Sequence, residues 1–143
     1  MRHHIAAGLL ILCATQLGCS TDSATSPSSR TAYTVFFGTA ASGLDVSACT
    51  NTVPAGLCSQ IINVDSAGTF KEVWAPGTPT PNLLNVDGTL GSTSVTAVFK
   101  CVGTTATGSM NATLSGSQYS GTATLSGKTV NVRVVKGSST TCS

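Results

Sequence analysis

Residues 109–136 read SMNATLSGSQYSGTATLSGKTVNVRVVK. Apolar side chains recur at alternate positions: Met110, Ala112 and Leu114, then Tyr119, Ala123 and Leu125, then Val130, Val132 and Val134. A period of two sends successive side chains to opposite faces of an extended backbone, so each run predicts a half-buried β-strand. Ser, Thr and Asn, with Arg133, occupy the alternate positions and suit a wetted face. Gly116 and Gly127 separate the runs and predict tight turns, which makes the three strands successive and antiparallel. The segments NATLSG at 111–116 and TATLSG at 122–127 are nearly the same, and two copies describe successive strands rather than a solenoid.

The same pattern extends toward the N-terminus. Val95, Ala97, Phe99 and Cys101 share one face of another run, and Gly91, Gly103, Gly108 and Gly137 continue the punctuation. Earlier pieces are less regular. A first strand is expected over 33–39, a hairpin from 60–66 and 69–75 around Ala67-Gly68, and a further strand over 83–90, interrupted at Asp87-Gly88. The three prolines within 76–81 predict a loop, because proline cannot donate to a ladder. No useful length repeats at helical period, and the best helical candidate is a short turn near 41–47. The expected fold is therefore all-β, a small antiparallel meander of about eight strands forming a closed or half-closed barrel. A two-sheet sandwich is the second choice, disfavoured by the short late connections.

The first twenty residues, MRHHIAAGLLILCATQLGCS, carry a different message. Arg2, His3 and His4 make a basic start, and the apolar run that follows is about ten residues long, typical of a signal peptide and half the length a membrane-spanning helix needs. Leu17-Gly18-Cys19 then resembles the lipobox of bacterial lipoproteins, although Gln16 and Leu17 stand where that pattern has Leu and a small residue. The resemblance covers only this leader. It implies cleavage before Cys19 and acylation of its thiol, and so a cell-envelope protein, on the outer membrane or the outer face of the plasma membrane. Residues 20–31, STDSATSPSSRT, have almost nothing apolar and predict a disordered tether. The resulting organisation is signal peptide 1–18, lipidated cysteine and tether 19–31, and one β domain 32–143.

Cys49, Cys58, Cys101 and Cys142 remain, an even count that predicts two disulfides in an exported chain. Of the three possible pairings, Cys49–Cys58 and Cys101–Cys142 are favoured here. The first would close the Pro54 and Gly56 turn, and the second would fasten the C-terminal end.

Chemistry is limited by what is missing. Both histidines of the 143-residue chain, His3 and His4, lie in the leader. Past it there is no Ser-His-Asp or Cys-His system and no His-ligated metal site, and no C-x-x-C motif occurs. No cofactor and no metal are expected. Charge is sparse and balanced, with seven Lys and Arg against five Asp and Glu, too weak a field to capture nucleic acid. Lys128, Arg133 and Lys136 read as solvation of an exposed strand face. Asp65, Glu72 and Asp87 are the only candidates for a carboxylate pair, and the chain is not expected to be an enzyme.

Two binding classes follow. Phe70 and Trp74, beside the 76–81 loop, are the candidate residues for a barrel mouth that takes an apolar ligand. The other class is a structural or partner-binding envelope module with a filled interior and an exposed patch or open strand edge. A second resemblance is narrower. Ser115-Gly116-Ser117-Gln118-Tyr119, with Lys128 or Lys136 downstream, resembles in part the Ser-Gly-x-x-Tyr and Lys-Gly pattern of lipid-anchored inhibitors of C-type lysozyme. That family's aromatic-rich strand is replaced here by 130–135.

Overall fold

A computed structural model describes residues 29–39, 42–49, 56–75, 84–139 and 141–142. The expected signal peptide, Cys19, most of the tether, the turn at Pro54 and the proline loop lie outside these residues. The described strands are β1 (Thr31–Phe37), β2 (Leu44–Asp45), β3 (Gly56–Leu57), β4 (Ser59–Val64), β5 (Thr69–Trp74), β6 (Leu84–Leu90), β7 (Ser94–Cys101), β8 (Thr107–Ser115), β9 (Gln118–Leu125) and β10 (Lys128–Lys136). The short helical turn falls at Ser47–Cys49 rather than over 41–47, and it is of 3-10 type.

Eight strands form one antiparallel sheet in the order β4-β1-β10-β9-β8-β7-β6-β5, and β2 pairs with β3 as a small ribbon beside it. The fold is all-β, an eight-stranded sheet nearly closed into a barrel with one unsealed seam. From β5 to β10 each strand pairs with the next, as the glycine-punctuated alternation predicts. Ser126 and Gly127 both take positive φ, 50° and 80°, the backbone a two-residue turn needs between right-twisted strands. First and last strands are joined, with Val35 opposite Val134.

The seam falls between β4 and β5, the pair expected to be an ordinary hairpin. Their turn forms, with Asp65 N–H bonded to Thr69 O at 2.9 Å and Gly68 N–H to Asp65 O at 3.0 Å. The Asp65 carboxylate accepts from the Thr69 hydroxyl at 2.6 Å and from the Ala67 and Thr69 N–H groups, and these bonds hold its carboxyl below the usual range. Beyond the turn a side chain takes over from the ladder. Glu72 Oε1 accepts from Asn63 N–H at 2.8 Å and from Asn63 Nδ2 at 3.1 Å. Glu72→Ala leaves two part-buried donors without this acceptor and is expected to cost about 1–3 kcal/mol, while Glu72→Gln, which keeps a carbonyl oxygen there, costs less than about 1. Urea denaturation of the two variants checks the difference; equal losses would mean that the seam is held otherwise.

Strand 84–90 is continuous, against the expected interruption at Asp87-Gly88. Gly88 pairs with Phe70 on one side and Ala97 on the other. A Cβ at Gly88 would lie 2.3 Å from Phe70 Cζ and 2.5 Å from Thr96 O, so this glycine is a recess for the Phe70 ring rather than a turn.

The strand directions give the barrel two unlike ends. At one end β1 begins, and the connections are the tight turns 65–68, 91–93 and 116–117. At the other end β1 leaves into the 38–58 connection, and 75–83, 102–106 and 126–127 join the remaining strands. Leu44, Val46 and Cys49 of the first connection are fully or nearly fully buried in the same core as Phe37 and Phe99, so this segment caps the barrel.

Candidate functional site

The barrel interior is filled by side chains. Val35, Phe37, Ile62, Leu84, Val86, Val95, Phe99, Met110, Leu125 and Val134 are all at most 2% exposed, and small residues at Ala97, Ala112, Gly121 and Ala123 make room for them. A barrel of this size is filled by side chains when large and small residues alternate across it.

Phe70 and Trp74, the residues expected to line a ligand mouth, are both core, 5% and 4% exposed. They share the inward face of β5, but four positions separate them, about 13 Å of extended chain. Phe70 belongs to the tight-turn end, under Gly88. Trp74 belongs to the capped end, where its ring lies 5.7 Å from Phe37 and 5.9 Å from Phe99, and Phe37 and Phe99 are 6.4 Å apart in an edge-on pair. Three rings thus plug the end where an opening was expected, because a chain with few large side chains uses them as core. Three clefts among the described residues are lined by other side chains, from β1 and β10, from β6, β7 and β8, and from the 38–42 segment with β10.

Two disulfides form, in neither of the favoured pairings. Cys49 joins Cys101 across 52 positions, and Cys58 joins Cys142 across 84. The reason is topological. Leu44, Val46 and Cys49 are buried in the barrel core, where Cys49 meets the inward-facing Cys101 of β7, while Cys58 lies beside β1, with Phe37 N–H bonded to Cys58 O at 2.8 Å. Closeness in sequence favoured Cys49–Cys58; the cap carries the two apart.

The C-terminal residues return along the outside of the sheet. Gly137 N–H bonds to Ala32 O at 2.9 Å, and Thr34 Oγ1 donates to Gly137 O at 2.8 Å and accepts from Ser139 N–H at 2.9 Å. Thr34 alternates with the inward Val35, yet is only 2% exposed, because this strap covers it. Cys142 then fastens the strap at the capped end.

The charged residues are dispersed. Asp87 faces outward and pairs with Lys71 at 3.2 Å, Glu72 faces the seam from the opposite side of the sheet, and Asp65 sits in the turn. They form no facing carboxylate pair. Lys128 pairs with Asp45, and this hydrogen-bonded partner, helped by Ser47, lowers the Asp45 carboxyl to about 2. Arg133 lies over the Phe36 ring, 4.7 Å from its centroid, on the outer face. Within the segment that resembles lysozyme inhibitors, Tyr119 is buried and its hydroxyl donates to Gly91 O at 2.8 Å. Ser115 and Lys128 lie at opposite ends of the barrel, whereas Lys136 lies at the same end as Ser115. Among the described residues no three His, Cys, Asp or Glu side chains gather to hold a metal ion, and no helix is long and apolar enough to cross a membrane.

A surface cleft of ≈ 290 Å³ is lined by Phe36, Thr39, Cys58, Asn131, Arg133 and Cys142, among others. Sequence reasoning had no signal for it, since its residues come from β1, β10 and the two ends of the Cys58–Cys142 bond. Comparison with protein-family models, curated proteins and solved structures found no match to this chain.

Proposed function

We propose that the chain is a lipid-anchored protein of the bacterial cell envelope whose β domain is a non-enzymatic module that binds an envelope partner. The observation that carries the choice between the two binding classes is the filled, capped barrel: with Phe37, Trp74 and Phe99 packed together at one end, an apolar ligand would have to displace core. The composition supports the non-enzymatic reading, because no histidine follows residue 4 and the four domain cysteines are cross-linked.

The leader supports anchoring at Cys19. A tether entering β1 at the tight-turn end would leave the capped end, with Leu44, Val46 and Cys49, on the side away from the bilayer. Attachment needs no membrane-binding surface on the barrel, since acyl chains contribute about 0.8 kcal/mol per buried methylene.

Trp74 is the chain's single tryptophan and lies where a ligand would enter, so it reports directly on the choice. Titration of the domain, freed from its anchor by cleavage in the tether, with cis-parinaric acid is expected to leave Trp74 emission unchanged. Saturable one-to-one quenching would establish the apolar-carrier reading instead.

A further inference from the structure

The two disulfides have different surroundings. Cys49 and Cys101 are 2% and 0% exposed, within the core and under the barrel cap. Cys58 and Cys142 are each half-buried, and both line the ≈ 290 Å³ cleft on the outer face. The same cleft contains Arg133, positioned over Phe36. Access decides whether a thiolate can reach a disulfide sulfur, and a nearby cation attracts that thiolate and favours the one that leaves.

We propose that Cys58–Cys142 is a thiol–disulfide exchange site for a dithiol reductant, and that its reduction releases the C-terminal strap while the Cys49–Cys101 barrel stays folded. This inference stands independently of the reading of the leader.

The chemistry is ordinary exchange. A thiolate of the reductant attacks Cys58 Sγ, the Cys58–Cys142 bond breaks, and Cys142 leaves as a thiolate that takes up a proton. The hydroxyl of Ser59, 3.8 Å from Cys142 Sγ, is the donor of that contact, because a disulfide sulfur carries no proton, and it favours Cys142 as the leaving group. The reductant's second thiol then attacks its own mixed-disulfide sulfur, and Cys58 leaves. Two electrons and two protons pass to the protein, which gains two thiols, and the reductant becomes a disulfide.

What changes is local. The strap is held by the cross-link and by the bonds of Gly137 and Ser139 to Ala32 and Thr34. Once the covalent fastening is gone, a chain end is prone to fray, since the freedom it gains opposes the bonds that remain. Its departure uncovers Thr34 and widens the cleft beside Phe36.

The test is graded reduction of the intact protein with dithiothreitol under native conditions, followed by N-ethylmaleimide and peptide mass mapping. Cys58 and Cys142 are expected to be labelled at least about tenfold sooner than Cys49 and Cys101. Glutathione in place of dithiothreitol should leave its adduct on Cys58. Amide exchange at Gly137 and Ser139 should rise with that first labelling while β8 and β9 remain protected, and Arg133→Gln should slow labelling several-fold at low salt. A Cys58→Ser, Cys142→Ser variant should reproduce the exchange pattern without reductant. Labelling of all four cysteines at one rate, or loss of β8 and β9 protection together with the first labelling, would overturn the proposal. So would unchanged Gly137 and Ser139 protection after reduction.

Discussion

Replacing Cys49 and Cys101 together by alanine is expected to destabilise the domain by about 4 kcal/mol, the loop-closure value for a cross-link spanning 52 positions. The loss is carried mainly by the unfolded chain, which regains the freedom that the bond removed. A folded-state loss adds to it, because Cys49 and Cys101 are 2% and 0% exposed within the core, and removing their sulfurs leaves space there. The Cys58–Cys142 bond closes the longer loop, of 84 positions, yet its removal by Cys58→Ser, Cys142→Ser should cost less. Its release frees the strap in the folded state as well, and that entropy offsets part of the unfolded-state gain. Guanidinium unfolding of the two double variants measures both numbers. If the outer pair proved the costlier, the strap would be holding the sheet together rather than lying on it.

Phe37→Ala is expected to cost about 3–5 kcal/mol, the range for an aromatic ring removed from a core. Phe37 is fully buried and touches both other rings of the plug, at 5.7 Å from Trp74 and 6.4 Å from Phe99. The cap above it is itself fastened by Cys49–Cys101, so the cavity can collapse only partly. Phe70→Ala removes a ring of the same size from the other end, where Gly88 and the adjoining turn give the chain more scope to close in. Urea denaturation should therefore rank Phe37→Ala above Phe70→Ala. The opposite order would contradict the assignment of Phe37, Trp74 and Phe99 as the closure of the barrel.

The later half of the chain was legible because one local rule governs it. In β7 to β10 alternation places most of the inward residues, although Leu114 near the end of β8 is exposed, and glycine marks the turns, so neighbours in sequence are neighbours in the sheet. Even Cys101 showed its face, since it shares phase with Val95, Ala97 and Phe99. The earlier half answers to contacts made at long range. Nothing near Cys49 or Cys58 says that Cys49 lies in the core against Cys101 while Cys58 lies beside β1, so the turn signal at Pro54 and Gly56 suggested the wrong disulfides. Phe70 and Trp74 share a face, as their spacing required, but whether that face meets ligand or core depends on β1 and β7, which supply Phe37 and Phe99. Alternation gave no sign of the seam either: β4 and β5 carry strand patterns, and only the Asn63–Glu72 contact reveals that a side chain replaces ladder bonds between them.

The most direct test of the proposed function is the intact mass of the membrane-extracted protein, measured beside a Cys19→Ala variant. The account predicts a wild-type mass equal to the chain beginning at Cys19 plus acyl groups and less four hydrogens for two disulfides, with the variant left uncleaved. An unacylated wild-type protein cut elsewhere, with the variant processed in the same way, would contradict the anchor and make this a freely exported β-barrel.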